Sequence, residues 1–355
     1  MKKLPFETYN LKTYTLPLDK TDVVYNETFM FVGKDDEATF LFDPIEIISV
    51  RSSSLETEYV LGKDYEIIGN KIRLCENTTI PYFTEDEYYP KEEIPGRVFQ
   101  CSLEGKNFIY FGESDTFIKK QIAVTYTAKK TKLFDVIDFS KNFEKTIEKL
   151  KNKEKIKVLF YGDSITVGAN STKFINVKPY AESYPEMITS YLKAKFNTEI
   201  EYYNTAKGGM TTEWGIDNVK QLAVDVNPDL LFIAFGMNNA SLTPYEFADK
   251  IMQIVNPVKE NNPDAEIMLV PPMLPNKEVK YVYGNQELYE EGLKVINQKY
   301  GYAYAPVTSI HKKVLERKRY YDMTGNNVNH PNDFLTRIYV HTILSALLGK
   351  DYTEL

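Results

Sequence analysis

Histidine is scarce in this sequence, cysteine and tryptophan scarcer still, and neither a long hydrophobic run nor an excess of basic residues is present. Among 355 residues there are 3 His, 2 Cys and 1 Trp. Two cysteines, Cys75 and Cys101, are too few for a disulfide framework. They are expected to be reduced thiols of a cytoplasmic protein. Three scattered histidines, with no paired cysteines and no His-x-x-x-His spacing, leave no ligand set for a metal, and no cofactor is expected. The longest apolar run, LLFIAF at 230–235, is far short of the ~20 residues that cross a bilayer, so it is expected to be a core strand. The opening MKKLPFETYN has two lysines but no apolar stretch behind them, and no secretory signal is read there. A formal charge of -7 without a basic stripe argues against nucleic acid as a partner. No amphipathic helix with a basic face is seen that would bind a membrane surface.

What is present is a soluble composition, 43% hydrophobic and 26% charged, in a chain of 355 residues that is long for one core. Two domains are expected. Up to about residue 128 the pattern has period two: IEIISV (45–50), DYEIIGNKIRL (64–74) around a Gly69-Asn70 turn, FQCSLEGKNFIYF (99–111) and QIAVTYT (121–127). Alternation bounded by Gly, Asn and Asp predicts hairpins, hence an antiparallel β-sandwich, jelly-roll-like, over residues 1–135. Phe143, Ile147 and Leu150 mark a connecting helix within 136–152. From about residue 140 the period becomes 3.6 and short apolar runs alternate with helices, the second domain being expected over 153–355. Tyr184, Met187, Ile188, Tyr191 and Leu192 make one helical stripe. Phe247, Ile251, Ile254, Val255 and Val258 make another, and Tyr289, Leu293, Ile296 and Tyr300 a third. TPYE at 243–246 supplies Thr243 as N-cap, Pro244 at the first helical position and Glu246 to close a capping box. Strands are expected near 156–161, 199–203, 229–235, 266–270 and 302–306. That alternation predicts a parallel five-stranded sheet in a three-layer α/β/α domain.

The stretch VLFYGDSITVG (158–168) puts Ser164 just beyond the end of a buried strand, where open α/β sheets form their clefts. A serine hydroxyl needs a base within hydrogen-bonding reach and donors for the oxyanion that its attack on a carbonyl creates. His341 lies inside the last helix and is expected to be a packed structural residue. His311 precedes two lysines and is expected on a solvated helical face. His330 stands in TGNNVNHPNDF, a Gly/Asn-rich loop whose Pro331 suits the first position of a helix. It is the candidate base.

Four segments, GDSIT (162–166), NTAKGGMTT (204–212), FGMNNA (235–240) and NVNHPND (327–333), resemble the four ordered blocks of the SGNH (GDSL-type) hydrolases. The resemblance covers the last ~200 residues. It implies Ser164 as nucleophile and, through its backbone N–H, as one oxyanion donor. Gly209, with Gly208 as the register alternative, is the implied second donor, and the Asn238 amide the third. The family often has Asp where Asn239 stands, a change expected to affect local support more than chemistry. It usually has Asp three residues before the histidine, to orient the ring, and here that position is Asn327. A Ser164–His330 dyad oriented by Asn327 or a backbone carbonyl, rescue by Asp322 from the same loop, or another carboxylate all remain open. Asp333 is expected to serve only the helix dipole. Asp163 and Trp214 are taken as substrate-binding.

A β-sandwich ahead of such a domain resembles, in layout, the two-domain carbohydrate esterases. The implied activity is hydrolysis of small acyl esters, O-acetyl groups on carbohydrate above all, through an acyl-enzyme. A lipid or thioester hydrolase of the same family, or a catalytically silent glycan-binding protein, are the alternatives. The expected partner is a small acylated carbohydrate. With 27 Tyr and 20 Phe in the chain, the Tyr-rich loop IPYFTEDEYYPKEEIPG (80–96) offers ring faces to a sugar. The sugar, the acyl position and the oligomeric state are not legible.

Overall fold

A computed structural model describes residues 8–18, 20–129 and 135–355. The first seven residues, on which the reading of a missing signal partly rests, lie outside them. So do residues 130–134, where the expected front domain ends.

The front region is built from antiparallel strands: β1 (Val23–Met30), β2 (Glu37–Thr39), β3 (Pro44–Ser52), β4 (Tyr65–Ile68), β5 (Lys71–Leu74), β6 (Val98–Gln100), β7 (Phe108–Tyr110) and β8 (Gln121–Ala128). They pair as β1-β8-β3, β2-β5-β4 and a β6-β7 hairpin. Gly69, at φ +61°, turns the chain between the paired residues Ile68 and Lys71 in a conformation that a side chain resists. β8 is central in its sheet and all but one of its residues are buried, which is why QIAVTYT is so apolar.

The second region is a parallel sheet of β9 (Ile156–Gly162), β10 (Ile200–Asn204), β11 (Leu230–Ala234), β12 (Glu266–Leu269) and β13 (Ala303–Tyr304). Their order is β10-β9-β11-β12-β13, with helices between successive strands in a three-layer α/β/α fold. After β9 the chain steps one way to β10 and then back past β9 to β11. The strand order therefore reverses between β9 and β11, and a crevice opens beyond their carboxyl ends. Phe160 and Phe232 stack across these two strands at 4.4 Å between ring centres. The helices follow the apolar stripes: Tyr184–Phe196, Pro244–Asn261 and Tyr289–Tyr300. Thr243 and Glu246 close their capping box at 3.2 and 2.8 Å. The last helix, Asp333–Leu348, is buried along nearly its whole length, as its all-round hydrophobicity requires.

Four local expectations need correcting or are settled. Pro331 is not the first helical residue. The helix begins at Asp333, and Asn332 is its N-cap, accepting the N–H groups of Phe334 and Leu335 at 3.1 Å each. His311 is not on a solvated face. It is fully buried, its Nδ1 accepts the Leu274 N–H at 3.0 Å, and burial pushes the ring down to about 3, so it stays neutral. His341 is packed inside its helix as expected, its Nδ1 accepting the Leu18 N–H at 3.2 Å. Both cysteines are free thiols. Among the described residues, no helix is long and apolar enough to cross a membrane.

Buried charge joins the two regions. Lys318 Nζ meets Glu27 Oε1 of β1 at 2.7 Å, and both side chains are inaccessible to water. The same ammonium lies 3.4 Å from the centre of the Phe29 ring and donates to the Thr28 carbonyl at 3.0 Å. Glu27 is further held by the Leu41 N–H and the Tyr126 hydroxyl. Asp322 accepts the Met30 N–H at 3.0 Å and pairs with Arg319 at 2.9 Å. Burial alone pushes the Asp322 carboxyl up, but Arg319 and Lys318 outweigh it and hold the group below the ordinary carboxylate range. The segment that runs on to His330 is thereby tied to β1. Removing one partner of such a pair leaves the other charge buried alone, so Lys318→Ala should lose about 3–5 kcal/mol of stability, read from its urea denaturation curve.

Candidate active site

Close packing at the end of β9 explains its glycine. A side-chain carbon on Gly162 would sit 2.3 Å from the Ala234 carbonyl oxygen of β11, so only glycine lets the strands run side by side there. Asp163 then caps a single helical turn, Ser164–Val167, by accepting the Ile165 N–H at 3.0 Å. This is a different position from the substrate-facing one expected for Asp163. Its side chain is buried beneath the serine turn, where burial pushes the carboxyl up to about 6 against the pull of that N–H.

Ser164 Oγ lies 2.9 Å from Nε2 of His330, although the two residues are 166 positions apart. The other ring nitrogen, Nδ1, is 2.6 Å from Asn170 Oδ1 and 3.2 Å from Glu113 Oε2. Asn170 points its Nδ2 at the Gly325 carbonyl, so its oxygen faces the ring. Both neighbours of Nδ1 are therefore acceptors. That environment puts the ring proton on Nδ1 and leaves the Nε2 lone pair for the serine hydroxyl. Burial pushes the Glu113 carboxyl up, but hydrogen bonding and charge at His330, with the Asn326 amide, bring it below its usual value.

The histidine loop is held by its own asparagines. Asn326 Oδ1 accepts the N–H groups of Val328, Asn329 and His330 at 2.9 to 3.0 Å. The His330 carbonyl accepts from Thr324 Oγ1 and the Gly325 N–H, at 3.0 Å each. Asp333, one turn on, accepts both the N–H and the hydroxyl of Thr172, which ties the Asn170 loop to the same helix start. Asp333 thus does more than serve the helix dipole, and burial pushes its carboxyl up to about 7.

Neither residue expected to orient the ring does so. Asn327 sits at φ +70°, and this turns its amide away from the imidazole. Its Oδ1 accepts from Tyr88 and Asn276, and its Nδ2 donates to the Tyr110 carbonyl. Asp322 is consumed by Arg319, Lys318 and β1. Asn170 and Glu113 occupy that place instead, and sequence reading missed both. Glu113 lies in the front region, outside the resemblance, and no local pattern marks it. Asn170 carries a faint signal, since asparagine tolerates the left-handed φ of +64° found there better than most residues.

A cleft of about 670 Å³ opens over Ser164 and His330. Gly208, Gly209 and Asn238 line it, as do Phe174 and Tyr281 at the rim and Phe99, Phe111 and Glu113 from the front region. The loops after β10 and β11 supply the first three, at the crevice where strand order reverses. A side-chain carbon on Gly208 would be 3.8 Å from Ser164 Cβ, and Gly209 takes φ +76°. Asn238 spends one amide hydrogen on the Met210 carbonyl at 2.9 Å. Its neighbour Asn239 does give local support, accepting the Thr212 N–H and donating to Glu213, both at 3.0 Å. Trp214 does not line this cleft. It packs beside the rings of Tyr161 and Phe235. The Tyr-rich loop is also structural, with Tyr88 buried against Asn327 and Tyr89 bonded to Glu278. Among the described residues, no group of three or more His, Cys, Asp or Glu is arranged to hold a metal ion.

A parallel sheet with a serine hydroxyl beyond a strand end, hydrogen-bonded to a loop imidazole, has the layout of serine hydrolases. Residues 160–335, just under half of the chain, match the GDSL-like lipase/acylhydrolase family. No curated protein sequence matches the chain. Among solved structures it is similar to a two-domain esterase (CEX) active on acetylated mannans, at 21% identity and TM-score 0.48 over 62% of this chain. That match spans 57% of the esterase's own length. It is also similar to Axe2, an acetyl xylan esterase from Geobacillus stearothermophilus, at 18% identity and TM-score 0.45 over 54% of this chain and 94% of that one. A third likeness is to LAE5, an α/β hydrolase enzyme from the metagenome of Lake Arreo, Spain, at 16% identity and TM-score 0.44, again over 54% and 94%.

Gly325 has no room for a side chain, because a carbon there would lie 2.4 Å from Asn170 Cβ. Gly325→Ala should therefore push Asn170 from the ring and cost about 1–3 kcal/mol of stability. In proton NMR, the far-downfield Nδ1–H signal expected of His330 in the parent should broaden or vanish in this variant.

Proposed function

We propose that this enzyme hydrolyses small acyl esters, above all acetyl esters of carbohydrate, with Ser164 as nucleophile and His330 as general base. The observation that carries the reading is the 2.9 Å contact between Ser164 Oγ and His330 Nε2 inside a cleft. As Oγ attacks the ester carbonyl, Nε2 takes its proton, the Oγ–carbon bond forms and the carbonyl π pair moves onto oxygen. Collapse of this intermediate expels the sugar alkoxide, which takes the proton back from Nε2 and leaves an acyl-serine. Water, deprotonated by the same nitrogen, then releases the carboxylic acid and restores Ser164.

The oxyanion would be received by the backbone N–H groups of Ser164 and Gly209, with Gly208 as the alternative, and by the Asn238 amide hydrogen not spent on Met210. Substrate class is argued from the walls. The rings of Phe99, Phe111, Phe174 and Tyr281 offer flat apolar faces at an open cleft, which suits a sugar ring with a short acyl group better than a long alkyl chain. In this reading the front region, residues 1–135, is an accessory domain that shares the cleft.

Ser164→Ala and His330→Ala should each lower kcat on a p-nitrophenyl acetate probe by at least about 10⁴-fold. A fluorophosphonate should label Ser164 and nothing else in the cleft. Full hydrolysis by Ser164→Ala would defeat the reading. A preference for octanoyl over acetyl esters would replace carbohydrate with lipid, and absence of labelling would favour a silent glycan binder. Asn238→Ala should cost about 10²–10³-fold in kcat with KM little changed, the signature of a donor used mainly in the transition state.

A further inference from the structure

Three hydrogen bonds clamp the end of β7 onto the histidine loop. Asn327 Nδ2 donates to the Tyr110 carbonyl at 3.0 Å, the Gly112 N–H to the Asn326 carbonyl at 3.4 Å, and Asn326 Nδ2 to Glu113 Oε1 at 3.2 Å. This clamp leaves Glu113 Oε2 at 3.2 Å from His330 Nδ1. We propose that Glu113, supplied by the front region, is the positioning carboxylate for His330 and completes a Ser–His–Glu arrangement across the two regions. The inference rests on the assignment of Ser164 and His330 above.

Asn170 fixes the tautomer, but its amide oxygen is neutral. When Nε2 takes the serine proton the ring becomes a cation, and a full negative charge beside Nδ1 stabilises it in a way that an amide cannot. Glu113 stays ionised throughout, and the proton transferred is the serine's. Two other carboxyl groups near this assembly are Asp163, beneath the serine turn, and Asp333, bonded to Thr172. Asp322, on the same segment, is neutralised by Arg319 and Lys318. About half of the Glu113 side chain is exposed, so solvent screens it and its effect should be smaller than that of a fully buried triad acid.

The test uses the full chain with p-nitrophenyl acetate. Glu113→Gln should lower kcat by about 10- to 100-fold, with KM changed by no more than about threefold. Adding Asn170→Asp to the Glu113→Gln variant returns a carboxylate to Nδ1 and should restore kcat. An unchanged kcat in Glu113→Gln, while the parent still depends on Ser164 and His330, would overturn the proposal alone. So would a loss that the second carboxylate does not restore, since Glu113 would then act through packing. Independence of the parent from Ser164 would instead remove the underlying assignment.

Discussion

An imidazole can take a proton from a serine only if its rotation, tautomer and height above the strand ends are fixed, and the segments packed around His330 meet that demand. His330 is on a loop with little regular structure. What makes the loop rigid is the Asn326 side chain, whose single oxygen collects three successive backbone N–H groups and does the work a helix or strand would otherwise do. Gly325 then leaves just enough space for Asn170 to reach Nδ1. The serine side is simpler: strand β9 ends at a glycine, Asp163 caps one helical turn, and the hydroxyl stands at the crevice.

The front region is bound into this design. Lys318, Arg319 and Asp322 precede the histidine loop and are anchored to β1 through buried ion pairs and backbone contacts. These groups would be costly to bury singly, so they hold together only when the two regions are docked. At the other end of the front region, the β6-β7 hairpin brings Phe99, Phe111 and Glu113 to the cleft wall. The site is therefore a property of both regions, although four of its segments lie in one.

Much of the architecture was legible because it depends on local periodicity. The 3.6-residue stripes around Met187, Ile251 and Ile296 are statements about which face is buried, whereas the alternation in IEIISV and QIAVTYT marked strands without reporting a face, since β8 is buried on both sides and Ile45 is exposed. That Ser164, His330, Gly209 and Asn238 would line one cleft was legible for another reason. Each stands in a short segment next to a strand end or helix start, where the resemblance is densest. Asn327 misled because spacing along a loop does not report direction. A positive φ at that residue sends the amide to Tyr88, Asn276 and Tyr110 instead of the ring. His311 misled because two lysines beside it suggested solvent, whereas its own side of the helix faces Leu274.

By itself, then, the chain's sequence determined the antiparallel front, the parallel sheet behind it, and the pairing of a strand-end serine with the one loop histidine. Tertiary structure alone decided what stands at the far nitrogen of that histidine. Asn170 and Glu113 come from segments 160 and 217 residues away. No periodicity or spacing connects them to His330, because the contact arises from the docking of one region on the other and from a glycine that keeps the space clear.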